Sequence, residues 1–321
     1  MIRITPPILC RSAIALAALS SLTGCFDDGN APDLNVPVSG VTQVSLNTYS
    51  ATTVGTGTTA ATQDLLTGGL GKSGLVVAAP AYADPLNPTA LELRRNALYA
   101  NYRAIVDPSV GGGFTRLYGP NIDFNGGDTL GEGLIPGKEY VAILDDGTGR
   151  KNTVIAVQIP ARFDVNNPCI IAGPSSGSRG VYGAIATAGE WGLKKGCAVV
   201  LTDAGKGMGL YDPTDDTVNR IDGTRATRTA AGALSHFAAN ITDAARSIYN
   251  AAFPNRLALK QVHSQLNPQK DWGSDTLVSV RYALYVLNQE YGDLSPIGAR
   301  IARFNAANTT VIAASDRKSV V

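Results

Sequence analysis

Two short segments have the residue types and spacing needed for acyl-transfer chemistry. Residues 175–180 (SSGSRG) form a Gly/Ser-rich loop directly after an apolar run, and residues 308–315 (NTTVIAAS) form a second apolar, β-branched run. Small residues let a backbone N–H approach an oxygen that develops negative charge, as an oxyanion hole requires. A strand that leads into a tight turn exposes a nucleophile at the edge of a sheet. We therefore expect both segments at one sheet edge, beside a bound acyl substrate.

The first of these loops supplies most of the candidate site residues. Ser176, Gly177 and Ser178 are candidate oxyanion donors through their backbone N–H groups. The alternative is a glycine-rich turn without a catalytic role. Arg179 follows them, and its guanidinium is suited to clamp a free carboxylate of an ester substrate. The alternative for Arg179 is an ordinary ion pair with a nearby acid.

Other polar residues are weaker pocket candidates. Asp203 and Lys206 follow the next predicted strand, on the carboxyl edge where open α/β sheets bind ligands. His263 is a pocket candidate too, with a structural hydrogen bond as its alternative. Both histidines of the chain, His236 and His263, precede the expected nucleophile, so neither fits the order Ser, Asp or Glu, His. Two histidines without a carboxylate at ligand spacing predict no metal site, and we expect no cofactor.

Strand and helix patterns indicate how these residues are positioned. Residues 137–145 and 152–160 read as two strands around the turn DDGTG, which predicts a β-hairpin. Afterwards strands and helices alternate. Further strands are predicted over residues 168–172, 197–202 and 311–314, and helices over residues 90–106, 183–192, 226–250 and 276–291. This order predicts an α/β sandwich with a mainly parallel sheet and helices on both faces. Together with the two segments suited to acyl transfer, it predicts an α/β-hydrolase-like fold.

The N-terminal region has the features of an export signal. Residues 1–25 combine arginines with an apolar segment over residues 12–22 that is too short to span a bilayer. The sequence LTGC that ends at Cys25 resembles a bacterial lipobox, which predicts lipidation of Cys25; ordinary secretory cleavage is the alternative. Phe26 after the cysteine favours the outer membrane. Residues 26–54 are predicted to form a flexible polar tether, and the protein to be extracellular or anchored to the outer membrane, with the periplasm as an alternative.

The remaining cysteines agree with export. Cys169 and Cys197 each begin an apolar run, so neighbouring parallel strands would place them at disulfide distance. The alternatives are two buried thiols or partners in a missing C-terminal part.

Overall charge argues against some partners. Lys and Arg number 27 against 26 Asp and Glu, which gives a net charge of +1 without a basic patch. A nucleic-acid partner is therefore not expected. The membrane is expected as a partner only through a lipid at Cys25.

The last six residues do not continue the expected nucleophile turn. Residues 316–321 (DRKSVV) correspond to the translation of a common sequencing adapter and are interpreted as an artefact; a short basic tail is the alternative. Residues 55–315 are then the N-terminal part of a catalytic domain, truncated before the nucleophile elbow. The nucleophile is expected just after Ser315, and no catalytic nucleophile, acid or base is assigned within the chain.

Four segments of the chain are distinctive: LRRNALYANYRAIVD (93–107), DTLGEG (128–133), SSGSRGVYGAIATAGEWGLKKGCAV (175–199) and AFPNRLALKQVHSQLNPQKDWG (252–273). They resemble segments of the D-(−)-3-hydroxybutyrate oligomer hydrolases of bacteria that degrade polyhydroxybutyrate. The resemblance runs over residues 64–315 and is densest in these four segments. In that family the strand matching residues 311–315 leads into a Ser-Asn-Gly-Gly turn with the nucleophile. The triad Asp and His lie in the second half of proteins about twice this long.

The resemblance implies hydrolysis of 3-hydroxybutyrate dimers and oligomers to monomers by a serine esterase mechanism, with this chain itself inactive. Two other functions are compatible with the residues. One is an exported esterase for other acyl or aryl esters, and the other is a non-catalytic surface lipoprotein that uses the same domain for binding.

Overall fold

The computed structural model describes residues 33–109, 111–177, 179–205 and 207–315. The predicted signal segment with Cys25, the tail 316–321, Ser178 and Lys206 lie outside the described residues. Within those ranges, no helix combines the length and the apolar character needed to cross a membrane.

Ten strands in the described residues form two sheets. They are β1 (Val41–Tyr49), β2 (Gly137–Leu144), β3 (Thr153–Pro160), β4 (Cys169–Pro174), β5 (Ala198–Thr202), β6 (Leu210–Asp212), β7 (Thr217–Asn219), β8 (Arg225–Thr227), β9 (Ala258–Leu259) and β10 (Thr310–Ala313). The larger sheet has the order β1-β2-β3-β5-β4-β10, and the smaller, antiparallel sheet has the order β8-β7-β6-β9.

The larger sheet is mixed, whereas the sequence analysis predicted a mainly parallel one. The pairs β1–β2, β2–β3 and β3–β5 are antiparallel, and only β5–β4 and β4–β10 are parallel. The physical reason is the hairpin, because β3 lies between β2 and β5 and runs opposite to both. The predicted hairpin itself is confirmed by the register, which joins Gly137 to Pro160 and Leu144 to Thr153.

Helices cover both faces of the larger sheet. The described residues contain the helices α1 (Gly71–Val76), α2 (Ala90–Arg103), α3 (Glu190–Lys195), α4 (Arg228–Ala231), α5 (Asp243–Ala252), α6 (Lys260–His263) and α7 (Trp272–Tyr291). Of these, α1, α2 and α3 pack with one face of the larger sheet and α7 packs with the other. Alternate residues of a strand point to opposite faces. In β4, Ile171 accordingly packs in one core cluster with Leu98 of α2, and Ile170 packs in another with Val286 of α7. The strand register therefore fixes which helix covers which face.

Two predicted elements are different in the structure. Residues 41–49, part of the predicted tether, form the edge strand β1, whose polar residues are tolerated because most of them are partly or fully exposed. Residues 226–250, predicted to be mostly helical, contain the end of β8, the short helix α4, an irregular segment and the start of α5. Gly232 ends α4 with a φ of 50°, a left-handed conformation that favours glycine.

Cys169 and Cys197 form a disulfide at the amino ends of β4 and β5. Their Cα atoms are 4.8 Å apart, which is the ordinary spacing of neighbouring strands. The bond therefore lies at the sheet edge opposite the loops that follow these strands.

Candidate active site

The carboxyl ends of β5, β4 and β10 bring the two segments with acyl-transfer features together. Ser175 N–H donates to Thr202 O at 2.9 Å, and Ala314 N–H donates to Ala172 O at 2.9 Å. Beyond β10, the Ser315 hydroxyl donates to Pro174 O, also at 2.9 Å. The chain that leaves β10 therefore starts beside the loop that leaves β4.

The loop after β4 is tightly folded around Ser175, which is fully buried. Gly177 N–H donates to Ser175 Oγ at 3.0 Å, so this predicted oxyanion donor is satisfied inside the loop in the present conformation. A Cβ at Gly183 would lie 2.2 Å from the same oxygen, so only glycine fits there. Ser176 is partly buried in this loop. The loop thus has the close backbone packing of an oxyanion hole, and Gly177 would have to turn its N–H to serve one.

A cavity of about 440 Å³ lies beside this loop. Its volume is in the range of sites for small organic ligands. The wall combines β1, β2, the start of α2, the segment after β4 and the segment after β7. Its lining includes one histidine, His236, and five charged side chains: Arg94, Glu139, Arg179, Arg220 and Asp222.

A buried ion pair forms the floor of the cavity. Arg94 donates through Nε to Glu139 Oε1 at 2.8 Å and through a terminal nitrogen to Oε2 at 3.0 Å, and the side chains are only 7% and 1% exposed. Glu139 also accepts from Tyr182 Oη and Gln158 Nε2, each at 2.8 Å. The Tyr49 ring stacks 3.8 Å from the guanidinium carbon. Every charge in this cluster therefore has a partner.

These partners determine the ionisation of Glu139. Burial alone would raise the pKa of Glu139, but the charge of Arg94 and the hydrogen bonds from Arg94, Gln158 and Tyr182 hold the pKa below its ordinary value. Burial alone would lower the pKa of Arg94, but the charge of Glu139, the neighbouring Tyr182 and Tyr49 and the hydrogen bond to Glu139 together raise it. The pair is therefore charged at neutral pH.

His236 reaches the same cavity through a second buried pair. Its Nε2 lies 3.0 Å from Asp203 Oδ2, and Asp203 is fully buried. Asp203 Oδ1 accepts from Val154 N–H at 3.1 Å and from Gly205 N–H at 2.9 Å. The carboxylate accepts a hydrogen bond from Nε2–H, in the neutral imidazole as in the imidazolium. Nδ1 is buried and has no hydrogen-bond partner among the described residues.

The loop after β5 can enclose this pair only because it is rich in glycine. A Cβ at Gly207, where φ is 45°, would lie 2.4 Å from Asp203 Oδ2 and from His236 Nε2. A Cβ at Gly209 would lie 2.7 Å from His236 Nδ1. The backbone therefore closes around the imidazole from two sides.

Asp203 is expected to make the free energy of unfolding depend on pH in the acid range. Burial alone would raise its pKa, but the hydrogen bond and charge of His236, the charge of Lys260 and the Gly205 N–H hold the pKa below the ordinary 3.8. The resulting stabilisation is present above pH 3.8 and is lost as the pH falls through the native-state pKa. Asp203→Asn should lower the free energy of unfolding at pH 7 by about 2 kcal/mol, because a charged hydrogen-bond acceptor is removed.

Urea unfolding of both proteins between pH 7 and pH 3 measures this dependence. The difference in stability between Asp203→Asn and the wild type should narrow toward pH 3. Asp293→Asn, at an exposed aspartate, is the matched control and should change stability by less than about 0.5 kcal/mol. A difference for Asp203→Asn that stays constant over the whole pH range would contradict the linkage.

Only some of the predicted site residues lie at the cavity. Arg179 lines the cavity, and Asp203 reaches it through His236. His263 is exposed and accepts from Leu259 N–H at 2.9 Å, a local contact that does not reach the cavity lining. In the part of the chain that the structure describes, no group of three or more His, Cys, Asp or Glu side chains could hold a metal ion.

Three contributors to the site are not predicted by the sequence. They are His236, which precedes the expected nucleophile, Arg220, and the Arg94–Glu139 pair. Asp203 and His236 are 33 residues apart in sequence, and Arg94 and Glu139 are 45 residues apart. The one usable signal was the Gly-rich loop after Asp203, since it has to pack closely against a neighbour.

Fold and site together define a mixed α/β protein with a ligand-sized cavity beside the carboxyl edge of its sheet, and the cavity wall combines apolar residues with a few charged ones. The chain belongs to the 3HB-oligomer hydrolase (3HBOH) family, whose sequence model matches residues 21–318. The protein of Polaromonas sp. (strain JS666 / ATCC BAA-500), described as a D-(−)-3-hydroxybutyrate oligomer hydrolase, is 51% identical over 304 residues. That alignment covers 94% of this chain and 42% of the relative.

Two further relatives carry the same description. The Burkholderia vietnamiensis (strain G4 / LMG 22486) protein is 51% identical over 302 residues, covering 94% of this chain and 42% of the relative. The Polaromonas naphthalenivorans (strain CJ2) protein is 56% identical over 256 residues, covering 79% and 36%. The chain therefore spans about two-fifths of the length of these relatives. No solved structure matches it significantly.

Proposed function

We propose that the protein is an α/β-hydrolase-type serine esterase that hydrolyses 3-hydroxybutyrate dimers and oligomers to monomers. The observation that carries the proposal is the contact between Ser315 and Pro174, because it sets the end of β10 beside the small-residue loop after β4. A nucleophile just after β10 and an oxyanion donor in that loop would then face one carbonyl group. Membership of the 3HB-oligomer hydrolase family supports the substrate class.

In this scheme the reaction proceeds through an acyl-enzyme. A serine after Ser315 attacks the ester carbonyl while a general base accepts its proton. Backbone N–H groups of the loop after β4 stabilise the tetrahedral oxyanion. The C–O bond breaks, the released oxygen is protonated to a hydroxyl group, and water then hydrolyses the acyl-serine. The serine, the acid and the base are proposed to belong to the longer polypeptide that the relatives represent.

We also propose that the protein is exported and anchored through a lipid on Cys25. The disulfide between Cys169 and Cys197 supports export, since such bonds persist in oxidising compartments.

A direct assay tests the proposed activity. Long-read sequencing of the source DNA across codon 315 supplies the longer reading frame, and both the longer protein and the 321-residue chain are assayed on the hydroxybutyrate dimer. The longer protein should hydrolyse the dimer and the 321-residue chain should not. Hydrolysis by the 321-residue chain would contradict a nucleophile beyond Ser315. Preference of the longer protein for aryl esters would contradict the substrate.

A further inference from the structure

Two arginines on the cavity wall have no ion-pair partner among the described residues. Arg179 lies in the loop after β4, and Arg220 directly follows β7. Among the described residues, neither guanidinium forms an ion pair or a hydrogen bond, and Arg220 Nε is buried without a partner. A buried donor without a partner carries a free-energy cost. An anionic ligand in the cavity would remove that cost.

The other charges of the cavity are already engaged. Arg94 and Glu139 neutralise each other in the floor. Asp222 is exposed and accepts from Thr224 N–H at 3.0 Å and from Thr224 Oγ1 at 2.6 Å. The two guanidinium groups of Arg179 and Arg220 therefore face a single unpaired carboxylate, that of Asp222, which leaves an excess of positive charge among the described residues of the wall.

Both arginines sit on anchored backbone. Asn101 Nδ2 donates to Arg179 O at 3.1 Å, which ties the loop to α2. Arg220 forms a β-bridge with Ser235, and His236 N–H donates to Asn219 O at 2.8 Å. Arg220 and His236 are therefore fixed to each other on one part of the wall. Planar guanidinium groups on fixed backbone are suited to bind a carboxylate through paired hydrogen bonds.

We propose that Arg179 and Arg220 bind the free carboxylate of a short oligoester of a hydroxy acid, an inference that rests on the proposed function. In a hydroxybutyrate dimer, four covalent bonds separate the carboxylate carbon from the ester carbonyl carbon, about 5 Å. A carboxylate held beside the loop after β4 therefore sets the terminal ester at the carboxyl edge of the sheet. Cleavage there releases the carboxyl-terminal hydroxy acid, whose ester oxygen leaves as its hydroxyl group.

Binding to the 321-residue chain tests the site without requiring catalysis. Isothermal titration calorimetry compares the hydroxybutyrate dimer as free acid with its methyl ester. The acid should bind at least about 10-fold more tightly, and Arg179→Gln or Arg220→Gln should remove that difference. Equal affinity for acid and methyl ester, no binding of the acid, or unchanged acid affinity in both variants would overturn the proposal.

Matched variants separate a binding role from a structural one. Arg256→Gln changes an exposed arginine outside the cavity lining and should leave the acid affinity unchanged. Arg220→Lys keeps the charge but loses the paired geometry, so its affinity should fall between those of the wild type and Arg220→Gln. Each variant should keep the wild-type circular dichroism spectrum and thermal midpoint. A loss of acid affinity in Arg256→Gln equal to that in Arg220→Gln would overturn the assignment.

A second pair of ligands tests the carboxylate site separately from the proposed substrate. 4-Acetoxybenzoate and its methyl ester carry the same charge difference on an aryl ester. If 4-acetoxybenzoate binds as tightly as the hydroxybutyrate dimer and Arg220→Gln weakens both, the carboxylate site stands and the proposed substrate fails.

Discussion

Replacement of Glu139 by Gln is expected to lower the free energy of unfolding by about 3 to 5 kcal/mol, because it leaves a buried arginine without its counter-charge. Arg94 is 7% exposed and donates to both carboxylate oxygens. In the variant, one of these hydrogen bonds would go to a neutral amide oxygen, and the other would be lost because an amide NH2 group cannot accept it. Tyr182 would also lose a charged acceptor, which loosens the segment that follows Arg179. Urea unfolding, monitored by fluorescence, gives the free energy of unfolding of each protein from the midpoint and the slope of the transition.

The matched control is an ion pair on the surface. Asp243, whose side chain is 77% exposed, pairs with Arg228 at 2.7 Å, and Asp243→Asn should cost less than about 1 kcal/mol. The double variant Arg94→Met/Glu139→Gln should recover part of the stability, because it no longer buries an unpaired charge. If Glu139→Gln and Asp243→Asn lowered the free energy of unfolding equally, the buried pair in the floor of the cavity would contribute no more stability than a surface pair.

Local patterns were sufficient to predict much of the fold. The hairpin β2–β3, the strands β4, β5 and β10 and the helices α2 and α7 are each specified by periodic apolar residues within their own segments. Local patterns do not predict whether two paired strands run parallel or antiparallel, because that depends on which strands become neighbours. The mixed sheet follows from β3 pairing with β5, and no pattern within either strand encodes that pairing. β1 was missed for a related reason, since an edge strand needs few apolar residues.

The site was less predictable, because its pairs join distant segments. Arg179 and Asp203 could be selected since they follow predicted strands, and the carboxyl edge of a sheet collects such residues. Nothing in the sequence indicates that Arg94 meets Glu139 or that Asp203 meets His236. Those contacts arise when α2 and the small sheet close over the larger sheet, so they become visible only in three dimensions.

Loss of the disulfide between Cys169 and Cys197 is expected to lower the free energy of unfolding by about 3 to 4 kcal/mol, as the chain-entropy model gives for a closed loop of this length. The bond links residues 28 positions apart, and it ties together β4 and β5, the two strands whose following loops approach the cavity. Urea unfolding with and without dithiothreitol should show a large decrease in the midpoint for the wild type.

The variant Cys169→Ser/Cys197→Ser is the control for that measurement. It should unfold at the midpoint of the reduced wild type and should not respond to dithiothreitol. A wild-type midpoint that dithiothreitol leaves unchanged after full unfolding and refolding would contradict a stabilising disulfide. Because glutathione and thioredoxin keep thiols reduced in the cytosol, the same loss should appear in protein retained there. The bond therefore makes the stability of the sheet that carries the site depend on export, which links the proposed localisation to the proposed function.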